Sequence, residues 1–456
     1  MVFSSVDFIL FFSILLYILY LIKDNVSKKK VILFSSLFFY GYWDYRYLLL
    51  LMISIVVDFY CGRKIFEEDS ERKQKYFLLI SIFVNLGLLG IFKYYNFFID
   101  SLNVVFSGSL KNLDLILPIG ISFYTFQTMS YTIDIYRKKI KPEKSFLDFA
   151  IYVSFFPQLI AGPIVRARQF LPQLKNNIEL KRENLEIGFQ IFLFGLVKKL
   201  IIADRLGYYV DSVLKNYAYY SGWTIGLAIV SFTIQLYCDF SGYSDMAIGL
   251  GKMLGFKIPV NFKLPITAIN ISDFWSRWHI TLSRWLRDYV YIPLRKKTKY
   301  KMKYLVLLFT MILCGLWHGA NWNFVLWGTY LGIWQIIHFQ INKRKKFRLP
   351  TFLAWLLTYF LLNVSGAIFR ITNISMFIDV FKRIITGEPG IAWIYPPIIP
   401  LLIVFAIGTW LRKKNNNRYP IINLNTLSGA FVIVFVIFAI FFWNPTTLNP
   451  FIYFQF

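Results

Sequence analysis

Three histidines, His279, His318 and His338, occur in this chain of 456 residues. His318 stands in Gly315-Leu316-Trp317-His318-Gly319-Ala320-Asn321-Trp322, inside an apolar segment of membrane length. An ionisable side chain at the centre of a span costs about 3 kcal/mol and by default marks function. Imidazole is also the side chain best suited to moving a proton near neutral pH. His318 therefore reads as a general base in a buried, partly wet cavity, against the plainer role of a histidine hydrogen-bonded between helices. Gly315 and Gly319 leave room for close approach of another backbone or a ligand.

The second histidine, His279, lies in Phe274-Trp275-Ser276-Arg277-Trp278-His279-Ile280-Thr281. By composition it is an interfacial residue beside tryptophans, its polar tip in water, and a second candidate for proton transfer. His338 lies close to the basic end of its span and reads as plainly interfacial. Cys314 precedes His318 by four residues and can share its helix face. A Cys–His nucleophile is conceivable there, but a small buried apolar role is favoured. Asp239 and Asp245 flank Phe240-Ser241-Gly242-Tyr243-Ser244 and are expected to cap or bond locally rather than to grip a substrate. There is no GxSxG elbow, Walker A loop, GxGxxG or HExxH, which weakens hydrolysis by a serine elbow and ATP-driven transport. The cysteines, Cys61, Cys238 and Cys314, form no CxxC pair, so neither a disulfide framework nor a structural zinc site is indicated.

The elements that must position these residues are membrane helices. The chain is 57% hydrophobic, 20% aromatic and 16% charged, where a soluble domain has roughly 25% charged residues. Apolar stretches recur near 6–22, 31–42, 45–61, 77–98, 115–136, 186–203, 223–238, 304–317, 321–341, 351–370, 397–411 and 427–443. They predict an all-α polytopic membrane protein with about ten to twelve crossings. The first stretch lacks a basic region before it and a small-residue cleavage site after it, so it reads as a transmembrane helix rather than a signal peptide. The whole chain, 1–456, reads as a single integral-membrane domain without a long linker or an internal repeat.

The net charge of +26 follows the positive-inside rule rather than a nucleic-acid footprint. Lys28-Lys29-Lys30, Arg63-Lys64 with Arg72, Lys73 and Lys75, Arg137-Lys138-Lys139, Arg295-Lys296-Lys297, Lys343 to Lys346 and Arg412-Lys413-Lys414 sit in short loops and should face the cytoplasm. Lys198-Lys199 and Asp204-Arg205 break the alternation, which suggests a tilted or re-entrant helix. Two further regions are not ordinary spans. Residues 147–174 carry Phe155-Phe156-Pro157-Gln158 and Ala161-Gly162-Pro163, which break a helix and survive at membrane depth only if buried or lining a cavity. Residues 239–294 are rich in glycine and proline, and Asp273 to Tyr291 has the spacing of an amphipathic helix.

Taken together, these stretches resemble the membrane-bound O-acyltransferases. The resemblance rests on Cys238-Asp239-Phe240-Ser241-Gly242-Tyr243-Ser244-Asp245-Met246-Ala247-Ile248-Gly249-Leu250-Gly251. It rests also on Asp273-Phe274-Trp275 through Arg277-Trp278-His279-Ile280-Thr281-Leu282-Ser283, and on Trp285-Leu286-Arg287-Asp288-Tyr289. Pro157-Gln158 with Ala161-Gly162-Pro163-Ile164, and Gly315-Leu316-Trp317-His318-Gly319, complete it, and it is densest from 150 to 335. Within the family, Tyr291-Ile292-Pro293-Leu294, Gly319-Ala320-Asn321-Trp322 and the terminal Phe451-Ile452-Tyr453-Phe454-Gln455-Phe456 are similar to the bacterial alginate O-acetylase type. Many such relatives continue Tyr-Ile-Pro-Leu with Gly-Gly-Asn, whereas Arg295-Lys296-Lys297 follows here.

The resemblance implies a ring of helices around a thin central region, with re-entrant and interfacial pieces. It implies that His318 is the catalytic histidine and His279 the second motif histidine. The implied reaction moves acetyl from a cytoplasmic donor, acetyl-CoA, across the inner membrane of a bacterium to a cell-envelope polysaccharide, with no bound cofactor. An extracytoplasmic SGNH-type partner is implied as well. Richness in Phe, Ile, Asn, Lys and Tyr suggests an AT-rich genome and favours peptidoglycan over alginate-like polymers as acceptor. A proton-coupled transporter or channel with a histidine relay is the alternative from another class; it predicts two related halves, and no such repeat is visible. A D-alanyl or lipid acyltransferase of the same superfamily is the other alternative.

Overall fold

The computed structural model describes residues 1–299, 301–344, 349–416, 418–443 and 451–452. Lys345 and Lys346 of one basic run, Asn417, and Tyr453 to Phe456 of the aromatic tail lie outside the described residues. The described chain is helical throughout, apart from an isolated parallel bridge between Tyr220 and Ile391. Among the described residues, three helices are long and apolar enough to cross a membrane: Glu71–Phe106, Gly222–Met253 and Thr351–Arg370. Val6–Leu21, Lys303–His318 and Leu427–Phe442 are shorter apolar helices.

The chain divides into two compact units. The first comprises Met1–Phe192 with Met246–Pro259. Its helices start where side chains replace missing backbone partners: Ser5 accepts from the Phe8 N–H and Asp24 from the Ser27 N–H. Asp58, Ser81 and Asn85 are buried between the helices Leu48–Glu67 and Glu71–Leu89 and bond one another. Such satisfaction is what lets polar side chains sit inside a membrane bundle. The helix Phe146–Ser154 stops at Phe155, and a single turn, Phe156–Leu159, follows with Pro157 in its first turn. This broken backbone is buried, and the Gln158 amide donates to the Tyr152 carbonyl at 2.8 Å. The expected helix break is thus tolerated by burial in protein.

The second unit comprises Leu193–Asp245 and Val260–Phe456. Asp273 to Tyr291 is not one amphipathic helix. It is two short helices, Ile271–Arg277 and Ile280–Leu286, separated at His279, followed by a π turn at Arg287–Tyr291. His279 adopts a left-handed backbone with φ 40°. A left-handed turn in a non-glycine residue persists only when its surroundings over-determine it. Here the Ile280 N–H donates to the Asn261 carbonyl at 2.9 Å, so a distant loop ends one helix and starts the next.

Lys198 and Lys199 lie in a π turn, Val197–Ala203, an irregularity frequent at functional sites. Their charges do not belong to a loop. Lys199 pairs with Asp204 at 2.8 Å and with Asp239 at 2.6 Å, and Lys198 pairs with Asp245. Asp239 and Asp245 are therefore more than local hydrogen-bonding groups; they sit mid-helix in Gly222–Met253 as buried counter-ions.

Candidate active site

The site is built from the two histidine motifs. His318 is the last residue of the helix Lys303–His318, which packs closely against Trp322–Arg344. Gly315 makes that packing possible. A Cβ there would stand 2.0 Å from the Phe324 carbonyl oxygen. The space expected at Gly315 is thus taken by backbone and not by a ligand. At Gly319 a Cβ would meet the Phe324 ring at 2.1 Å. Both glycines let the chain on either side of His318 close on Phe324, and tight packing of that kind suits a positioned base.

His279 and His318 come together in the second unit, with ring centroids 6.4 Å apart. Both are buried, at 0% and 3% exposure. The interfacial reading of His279 is thereby corrected: its ring lies inside, not at a wet surface. Aromatic rings surround the pair. Trp317, Trp327 and Phe369 stand 5.0, 5.0 and 5.6 Å from His318. Phe240 and Trp317 stand 4.7 and 5.4 Å from His279. Burial pushes the His279 imidazole down, to about 3, so that ring is neutral at physiological pH. A pair of imidazoles in an aromatic, water-poor enclosure can take a hydroxyl proton while keeping a reactive acyl group from hydrolysis.

The same unit holds a cavity of about 400 Å³, which neither histidine lines but whose walls include Ile280, next to His279 in sequence. Arg284, Arg287, Tyr291, Thr310, Cys314 and Gln335 are among its walls. Cys314 sits one helical turn before His318, so the cavity runs along the helix face that ends at the histidine. Cys314 is buried and carries a free thiol. His338 is not part of this group. It is half-buried on Trp322–Arg344 and its Nε2 meets the Asn342 amide at 3.0 Å.

Three features escaped sequence reasoning. The first is Asn261, whose side-chain oxygen meets His279 Nδ1 at 3.2 Å; Asn in a Pro-Val-Asn-Phe loop carries no signal of its own. The second is the buried ion-pair cluster of Lys198, Lys199, Asp204, Asp239 and Asp245, hinted at only by the lysines that broke the charge alternation. The third is the placement of Phe451 and Ile452. The Phe451 ring packs on Phe240 and Tyr243 at 5.4 and 5.1 Å, and the Ile452 N–H donates to Asp239 at 2.9 Å. Phe240 thus touches both the tail and His279.

A model of the membrane-bound O-acyltransferase family matches residues 39–379. The chain is 37% identical over 403 residues to a peptidoglycan O-acetyltransferase of Helicobacter pylori, covering 81% of this chain and 76% of that protein. It is 36% identical over 450 residues to a probable alginate O-acetylase of Pseudomonas aeruginosa, covering 97% of this chain and 81% of that one. A teichoic acid D-alanyltransferase of Bacillus subtilis is 29% identical over 275 residues, 54% of this chain and 67% of that one.

Proposed function

Since this chain belongs to the membrane-bound O-acyltransferase family and is an O-acyltransferase, we propose that it moves acetyl groups across a bacterial inner membrane for O-acetylation of a cell-envelope polysaccharide. Peptidoglycan is the first acceptor and an alginate-like polymer the second. The peptidoglycan enzyme of Helicobacter pylori and the alginate enzyme of Pseudomonas aeruginosa are similar to nearly the same degree. The composition, rich in Phe, Ile, Asn, Lys and Tyr, favours the first.

One observation carries the reading: two histidines from separate motifs converge, buried, with ring centroids 6.4 Å apart. His318 acts as general base. It takes the proton of the acceptor hydroxyl as that oxygen attacks the thioester carbonyl. The C–S bond then breaks, an ester forms, and the departing sulfur receives the proton. His279 is the second proton-handling group. Acetyl-CoA is the donor, and the cavity beside Cys314 receives its acyl arm, with Arg284 and Arg287 suited to phosphate oxygens. All 456 residues act as one integral-membrane catalytic domain. A hydrated polymer strand fits poorly in an aromatic enclosure, so a narrow hydroxyl carrier enters instead, and an extracytoplasmic SGNH-type partner completes transfer to the polymer.

The test is labelled acetyl transfer from acetyl-CoA in vesicles containing the purified protein and its partner. His318→Ala is expected to lower the rate by about 10²–10⁴-fold, as for other positioned bases, with normal membrane insertion. Near-normal transfer by that variant defeats the assignment, and efficient polymer acetylation without the partner defeats the two-component scheme.

A further inference from the structure

The hydrogen bonds around His279 determine which of its nitrogens carries the proton. The side-chain oxygen of Asn261 accepts from the Thr281 backbone N–H at 3.2 Å and from the Thr281 hydroxyl at 2.9 Å. A backbone N–H can only donate, so the group facing it must be the amide oxygen and not the amide nitrogen. That settles the orientation of Asn261. The same oxygen faces His279 Nδ1 at 3.2 Å. An amide oxygen can only accept, so Nδ1 must bring a hydrogen. The other end of the Asn261 amide is held as well: its nitrogen donates to the Ser244 hydroxyl at 3.5 Å. Asn261 is fully buried, and its carbonyl takes the Ile280 N–H at 2.9 Å. The residue thus grips the chain on the C-terminal side of His279 through the backbone of Ile280 and through both donors of Thr281.

From this geometry we infer that Asn261 is a positioning residue, which holds His279 in the tautomer protonated at Nδ1 and leaves Nε2 as its proton-accepting nitrogen. The inference deepens the proposed function and rests on His279 taking part in it. A neutral imidazole carries one N–H, so fixing the proton on Nδ1 assigns the lone pair to Nε2. Burial keeps the ring neutral at rest, and the backbone at His279 is left-handed. A wrong tautomer in an intact site is costly: where the group orienting a catalytic histidine is lost, rates fall by several orders of magnitude.

The experiment is ¹⁵N spectroscopy of the full chain in nanodiscs, with histidine labelled and His318→Gln and His338→Gln used for assignment. It needs no acyl donor, so its result is independent of whether the transfer reaction is the one proposed. In the unaltered protein, His279 is expected to show a protonated Nδ1 and an unprotonated Nε2. Asn261→Asp keeps an oxygen at that place and should keep the Nδ1 proton. Asn261→Ala should shift the ring towards protonation at Nε2 and lower acetyl transfer by about 10²-fold or more. A protonated Nε2 in the unaltered protein overturns the inference, whatever the variants do. So does an Asn261→Ala protein whose His279 keeps the Nδ1 proton.

Discussion

The imidazole of His318 is packed among the rings of Trp317, Trp327, Phe369 and His279. Rings packed on several sides hold an imidazole in one orientation, as a positioned base requires. The thiol one turn away has a different part. Cys314 is a wall of the cavity, and a small buried thiol packs as an apolar residue. We predict that Cys314→Ala keeps acetyl transfer within about tenfold of the unaltered protein, whereas loss of a nucleophile would cost far more. Vesicle assays at matched protein abundance check this, and an inactive but abundant Cys314→Ala protein would restore the cysteine-nucleophile reading.

Among the elements, the π turn Val197–Ala203 does work that a regular helix would not. It sets Lys198 and Lys199 against Asp245 and Asp239 on the helix Gly222–Met253. Lys199 has side-chain exposure of only 6%, and its partners Asp204 and Asp239 are equally buried. Removing one partner of a buried ion pair strands the other, at a cost of about 3–5 kcal/mol. Lys199→Met is therefore expected to lower Tm in detergent clearly. Lys199→Met combined with Asp204→Leu and Asp239→Leu should recover much of that loss, because no charge is left stranded. A triple variant no more stable than the single one would show that the cluster acts through something other than charge balance. The break at His279 is also an element-scale event: Asn261 takes bonds that a continuous helix would have made internally.

For the whole molecule, charge and span length predict orientation. Thr351–Arg370 is a single 20-residue apolar helix. Lys343 lies before it and Glu388 after it, beyond the amphipathic helix Ile374–Thr386. One crossing places them on opposite sides, and the basic run beginning at Lys343 places that side in the cytoplasm. Single cysteines at 343 and 388, in a background lacking Cys61, Cys238 and Cys314, are to be probed with an impermeant thiol reagent. Labelling at 388 but not at 343 in intact cells is the expected result, and the reverse pattern would invert the orientation.

What the sequence determined by itself was whatever depends on residue type and near neighbours. The apolar runs made membrane helices unavoidable, because a backbone in lipid must bond within its own segment. Phe155-Phe156-Pro157-Gln158 announced a broken helix through proline's missing N–H. His318 announced itself as an ionisable group in an apolar run. Tertiary structure decided what depends on residues far apart in the chain. Asp273 to Tyr291 had the spacing of one helix, yet Asn261, 18 residues before His279, competes for its backbone bonds and splits it. Lys198 broke the charge alternation along the sequence, and its counter-ion, Asp245, lies 47 residues onward. In both cases the deciding partner is a hydrogen bond or charge supplied across the fold, and local periodicity carries no trace of it.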